Sequence, residues 1–245
     1  LDRPAIIGIG LALPVILDTG GLKTDHPAPF VGISRSYDFN SAARAISKRF
    51  GCSFYMENDV NSAALGEFKT GAYGENDDLI FITLNRGIGA GMILDGRLRR
   101  GRSYTAGEIG YMVFNPEHLP GRDDTGYTES KLTPEFLQDQ FGYSVYSGDQ
   151  SNDQSARIRV AEHISAYLSL CISNLSIALD VETFVLGGFV LNGIEELVVR
   201  FTQEKIARYG LNPIDLKVTR EEYAASLGIG ALAIDKSIND VLSGN

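Results

Sequence analysis

The sequence predicts an α/β fold built on a parallel or mixed sheet, and two observations carry that expectation. Ala5 to Leu13 and the run LIFITLN at 79–85 are apolar with almost no polar alternation, which is how strands covered on both faces read. Segments with helical spacing of apolar residues fall between and after such runs, so strands alternate with helices. With 245 residues and 44% hydrophobic content, the chain can bury a sizeable core.

Taken in order, the first buried strand leads into a long loop over 14–37 that carries Pro14, Gly20, Gly21, Pro27 and Pro29. Asn40 reads as the N-cap of a helix with Ala42, Ala43, Ile46 and Phe50 on one face and Gly51 as terminator. CSFYME returns as a strand and runs into a small-residue helix, NDVNSAALGEFKT, closed by Gly71 and Gly74. After LIFITLN, the segment GIGAGMILDGRL continues as strand, with Asp95-Gly96 as a hairpin signal. Residues 115–155 are polar and irregular. A long helix over Ala156 to Ala178, a strand ETFVL, a helix from Ile194 to Tyr209, a short strand IDLKVTR and an Ala/Gly/Leu helix from Ala224 to Ile238 complete the chain.

Charge and cysteine content exclude several classes. A net charge of -9 argues against this segment itself gripping nucleic acid, which needs a concentrated positive surface. The cluster RLRRGR at 97–102 reads as a solvated face, and the apolar stripe 164–178 as core helix before dimer interface. Cys52 and Cys171, the only two cysteines, offer neither a disulfide framework nor a four-cysteine metal site, so a reduced, cytoplasmic setting is expected. No apolar run approaches the ~20 residues that span a bilayer. The chain also begins without methionine on what reads as a central strand, so an upstream segment is expected.

Three glycine turns follow buried strands: GIGLALP at 8–14, NRGIGAG at 85–91 and LGGF at 186–189. Glycines there let backbone amides approach an anion, although bends need glycine for structural reasons alone. Asp59 sits at a strand end beside Asn58 and Asn61, where open α/β sheets place ligands, and is either a hydroxyl reader and general base or the cap of the following helix. Glu108, in TAGEIGY, would need polar partners if buried, and sugar hydroxyls could supply them.

The ordered set MENDVNSAALGE, T-x-x-x-G-I-G-A-G, D-G-R-L-x-x-G, A-G-E-I-G and V-L-G-G closely resembles the ROK family of bacterial sugar kinases and sugar-responsive repressors, over nearly the whole chain. The resemblance implies a two-lobed actin-like ATPase (ribonuclease H-like) fold with its amino-terminal lobe truncated. Residues 1–75 plus 224–245 would form the remainder of that lobe, and 76–223 the carboxy-terminal lobe. Asn58 and Asp59 match the pair that reads sugar hydroxyls, with Asp59 the catalytic base in the kinases. Glu108 matches the sugar-binding Glu of A-G-E-x-G-H, Tyr111 stands at its His, and Glu129 in TGYTES matches the Glu of G-C-x-E. Thr83, Asn85, Arg86, Gly87, Gly89, Gly187 and Gly188 match the nucleotide turns in degenerate form.

The departures are informative. The kinases read T-x-G-T-G-I-G where this chain has Asn85 and Arg86, and L-G-G-G where it has Phe189. A side chain replaces glycine where backbone meets phosphate, although Arg86 offers an anion ligand, and a benzyl group in a glycine-sized space favours occlusion of the base. Tyr111 and a loop without cysteine remove the imidazole and thiolates of the family's zinc site, so no zinc is expected, and His118 reads as a solvated loop residue. In zinc-bearing relatives the metal orders that loop, so Tyr111 and Glu129 are here held by something else or are mobile. Val15 replaces a frequent glycine near the sugar.

The resemblance with these departures implies the sugar-sensing domain of a ROK-type transcriptional regulator. Its ligand would be a monosaccharide or sugar phosphate, its DNA contact an upstream helix-turn-helix outside this chain, its assembly a homodimer, with no membrane partner and no cofactor. The alternative is an ATP-dependent sugar kinase with Asp59 as general base, for which ATP and Mg would be needed.

Overall fold

In the computed structural model of the chain, residues 6–18, 20–24, 37–117, 125–146, 153–209 and 213–243 are described. Pro27, Pro29, His118 and the LPGRDD part of the cysteine-free loop lie outside them. The chain divides into two units, one of Leu1–Asp77, Gly91–Ala106 and Glu221–Asn245, the other of Asp78–Ala90 and Gly107–Arg220.

In the first unit, strand β1 (Gly8–Leu13) pairs in parallel with β4 (Ser53–Asn58), which sets Leu13 opposite Asn58. Between them, β2 (Lys23–Thr24) and β3 (Tyr37–Asp38) form a short antiparallel ladder, and helix α1 (Asn40–Phe50) ends on Gly51 in the left-handed conformation, φ 68°. Asn40 is not the cap. Phe39 holds that position without a side-chain cap bond, and Asn40, the first helical residue, instead donates to Asp38 Oδ1 from its amide at 2.8 Å and from Nδ2 at 2.6 Å. Of the four apolar positions expected on one face only Ala43 is buried, and Phe50 is 51% exposed.

Helix α2 (Asp59–Thr70) follows β4 without a loop and stops at Gly71. Helix α6 (Ala224–Ser243), longer than the pattern indicated, crosses it backbone to backbone: a Cβ on Gly66 would overlap Ala224 O, and one on Gly228 would overlap Ser62 O. The same helix accounts for the first glycine turn. Gly8 and Gly10 lie inside β1, where Cβ atoms would come within 2.6 Å of Ser237 Oγ and 2.5 Å of Ile229 Cγ1, so packing rather than a ligand requires them. Strand β6 (Ile88–Leu94) ends in this unit and turns through Asp95 and Gly96, φ 51° and 69°, into β7 (Arg97–Leu98), a hairpin of the type Asp-Gly favours.

In the second unit, β5 (Leu79–Leu84) is buried at every position and pairs in parallel with β8 (Thr183–Gly187), which pairs in parallel with β9 (Asp215–Val218). Helix α4 (Gln154–Leu179) is N-capped by Asp153 and buries Ile164, Leu168 and Ile172 completely. Each such side chain contributes about 1.5–3 kcal/mol on leaving water. Helix α5 (Glu195–Ile206) gives way to a 3-10 turn, Ala207–Tyr209. The stretch read as irregular contains helix α3 (Pro134–Phe141), with Thr133 accepting from the Phe136 amide at 3.2 Å, Pro134 in the first turn and Gly142 at φ 67° closing it. Among the described residues no helix is long and apolar enough to cross a membrane.

Candidate functional site

In the first unit, the end of β4 and the start of α2 place Asn58 and Asp59 side by side. Asn58, not Asp59, caps the helix: its Oδ1 accepts from the Val60 and Asn61 amides at 2.9 and 3.0 Å, and its Nδ2 donates to Val15 O at 3.3 Å. Val15, 2% exposed, packs with Leu17 and Met56 and so fixes the carbonyl that Asn58 meets. Asp59 is thereby left as the first helical residue, with its carboxylate accepting from the Val60 amide at 2.9 Å. Burial pushes its carboxyl above the ordinary 3.8, against the lowering pull of the Val60 and Asp59 amides. A carboxylate shifted in this direction is a stronger proton acceptor than a solvated one, which suits it to receive a hydroxyl proton or hydrogen bond.

Glu57 was not singled out by the sequence reading. It is 2% exposed, and its carboxylate meets Arg100 Nε at 2.6 Å, the Asn58 amide at 3.0 Å and Asn61 Nδ2 at 3.1 Å. Arg100, with 25% of its side chain exposed, is therefore a structural ion-pair partner rather than a member of a solvated face, whereas Arg97, Arg99 and Arg102 are exposed. A signal existed in MENDVN, where a Glu lies on the strand beside the Asn-Asp pair.

In the second unit, three segments converge. The Ala90 amide donates to Gly107 O at 2.8 Å, and a Cβ on Gly107 would overlap Ala90 O, which ties the Glu108 segment to β6. Gly110 packs against Ile88 O and the Glu129 side chain, where its Cβ would lie 3.1 Å from each. Glu129 opens the 3-10 turn Glu129–Lys131 and sits against the glycine turn: a Cβ on Gly87 would come to 3.0 Å from Glu129 Cδ. The Ile88 amide donates to its carboxylate, yet burial wins and raises its carboxyl above 4.5. Glu108 is half-buried and Tyr111, at the end of the 3-10 turn Ile109–Tyr111, is 50% exposed.

The two other glycine turns also meet here. Asn85 Nδ2 donates to Thr83 Oγ1 at 3.1 Å, and Asn85 Oδ1 accepts from the Phe189 amide at 3.0 Å. Gly188 adopts φ 106°, and a Cβ there would overlap Leu84 O, so only glycine fits. Gly187 faces the Phe81 ring, 2.6 Å from where its Cβ would be, Gly89 lies within β6, and Arg86 is exposed. The Phe189 ring stacks on Tyr146, centroids 5.6 Å apart. Asn58 and Asp59 thus belong to the first unit, and the other candidate residues to the second. Among the described residues no cluster of three His, Cys, Asp or Glu side chains is placed to hold a metal.

Solved structures of the actin-like ATPase fold class superpose on this chain, which assigns it to that class. A ROK hexokinase of Thermus thermophilus matches with TM-score 0.74 and 26% identity over 96% of this chain and 80% of its own. A ROK family transcriptional regulator, a homolog of the E. coli MLC protein, has the same fold, with TM-score 0.73 and 22% identity over 98% of this chain and 64% of its own. The ROK family model matches residues 2–123, and the chain belongs to the ROK family.

Curated relatives fall on both sides of the family. An uncharacterized protein of Clostridium perfringens is 30% identical over 68% of this chain and 57% of its own length. A glucokinase of Halalkalibacterium halodurans is 29% identical over 77% and 63%. A xylose repressor of Caldicellulosiruptor bescii is 30% identical over 45% and 26%. The chain thus spans less than two thirds of the length of each of these relatives.

Proposed function

We propose that this chain is the sugar-sensing effector domain of a ROK-type transcriptional regulator. Asn58, Asp59, Glu108, Tyr111 and Glu129 would bind a monosaccharide or sugar phosphate, and DNA would be held by a helix-turn-helix outside the chain. The reading includes a cytoplasmic homodimer without zinc or another cofactor. The observation that carries it is the Asn85 carboxamide, which occupies the Phe189 amide and the Thr83 hydroxyl. Backbone donors at a glycine turn serve a phosphate only while unoccupied. Here a side chain bonds one of them, and the adjoining Phe189 ring is packed on Tyr146. Regulation would require the sugar to bind one arrangement of the regulator more tightly than another.

The test is calorimetry with D-glucose and D-xylose, alongside a coupled assay for sugar-dependent ADP release. Sugar binding with no ADP release is the expected result. Turnover that Asp59→Asn abolishes would establish the alternative, an ATP-dependent sugar kinase with Asp59 as general base. One observation favours that second reading: Asn58 takes the capping duty, so the Asp59 carboxylate is not consumed by the cap.

A further inference from the structure

Glu129 is exactingly placed for a residue on a three-residue turn next to a loop without cysteine, and the structure shows what restrains that turn. From within, Thr128 Oγ1 donates to Met112 O at 2.6 Å, Ser130 Oγ to Tyr127 O at 2.7 Å, and the Ser130 amide to Gly126 O at 2.9 Å. These bonds are local or tie one loop to another. Besides the Ile88 amide of β6, which holds the Glu129 carboxylate itself, the turn's backbone is linked to a rigid element by His163, on α4, whose Nε2 lies 2.9 Å from Lys131 O, the last residue of the turn. A carbonyl can only accept, so Nε2 carries the proton and donates it.

The ring itself cannot swing away from that bond. Phe136 and Phe141 of α3 and Tyr167 of α4 surround it with centroids at 5.4, 5.0 and 5.1 Å. Tyr167 in turn contacts Tyr127 at the base of the turn, centroids 6.4 Å apart, and Lys131 Nζ lies 5.5 Å from the Phe136 ring centre. Burial, the largest influence, and the nearby Lys131 ammonium lower the His163 pKa from its ordinary 6.5 against the raising pull of the hydrogen bond to Lys131 O, which favours the neutral donor.

We propose that His163 is a positioning residue for the sugar site: by donating Nε2–H to Lys131 O from within a cage of Phe136, Phe141 and Tyr167, it fixes the turn that presents Glu129 to the ligand. The inference rests on the sugar-binding reading for its purpose, but its geometry is independent of it. His163 acts through the turn and touches no ligand.

The experiment compares wild type with His163→Phe, which fills the ring volume without a donor, and His163→Gln, which keeps an N–H donor. Hydrogen exchange is followed at the Ser130, Leu132 and Ile88 amides, and D-glucose and D-xylose affinities are measured by calorimetry. In His163→Phe, exchange at these three amides accelerates while the buried middle of α4 stays protected, and sugar affinity falls by about tenfold, the scale of one lost hydrogen bond. His163→Gln restores most of both. Unchanged exchange at the three amides in His163→Phe overturns the proposal. So does a nitrogen-15 spectrum of the wild type showing the proton on Nδ1, a measurement that needs no variant. Absence of sugar binding in the wild type would sink the sugar-sensing reading alone, and the exchange data would still decide the role of His163.

Discussion

The Asn85 carboxamide spans the two glycine turns of the second unit, accepting from the Phe189 amide at 3.0 Å while donating to the Thr83 hydroxyl at 3.1 Å. Asn85→Ala removes both bonds. At 0.5–1.5 kcal/mol for a typical net hydrogen bond, the loss is roughly 1–3 kcal/mol. Urea unfolding checks the magnitude, with a lowered midpoint and unchanged slope expected. Faster exchange of the Phe189 amide would locate the change.

Asp59→Asn is expected to stabilise the protein while it weakens sugar binding. The folded carboxyl of Asp59 titrates above its ordinary 3.8 because burial disfavours the charge. A raised carboxyl favours folding below the unfolded pKa and loses that contribution as pH rises through the folded value. The melting temperature of Asp59→Asn should therefore match wild type at about pH 3 and exceed it at about pH 7. An equal difference at both values would contradict the burial effect.

Arg100→Ala leaves Glu57, 2% exposed, without its cationic partner. Uncompensated buried charge costs about 3–5 kcal/mol. Because the same carboxylate accepts from the Asn58 amide and Asn61 Nδ2, the start of α2 should loosen as well. Denaturant unfolding and the exchange rate of the Asn58 amide measure the two effects. Arg100→Ala, Glu57→Gln together should recover part of the stability by removing the orphaned charge.

Cys171 is fully buried in α4 and its thiol is pushed up to about 12, whereas Cys52 is half-buried. A thiolate reagent at neutral pH should label one site in the native protein and two after unfolding. Mass spectrometry of the labelled peptides identifies the site. Native labelling of Cys171 would show that α4 opens far more readily than its packing implies.

What could be read from the sequence was local. Gly51 and Gly71 end their helices and Asp95-Gly96 turns its hairpin, since each signal needs only its neighbours. The boundaries of the Asn58-Asp59 motif were equally visible, but the division of labour within it was not. Either residue can cap, and the choice depends on Val15 O, which lies 43 positions away in sequence. Glu57 escaped notice for the same reason, because its partner Arg100 is 43 residues distant. Gly8 and Gly10 were legible as close approaches, yet not as approaches to α6 rather than to an anion. The α3 helix carried its own signals, Thr133, Pro134 and Gly142, obscured by the polar composition around them.

Where α2 and α6 cross, main chain rests on main chain at Gly66 and Gly228, and further along the Lys69–Asp235 ion pair at 3.7 Å joins the two helices. Flexible side chains are the cushions that let packed helices slip past each other by small rotamer changes, and at Gly66 and Gly228 there are none. A side chain at either glycine would force the two helices apart. That contact joins the helix that begins at Asp59 to the one whose tail ends at Ser243, where Val241 and Leu242 are 78% and 80% exposed.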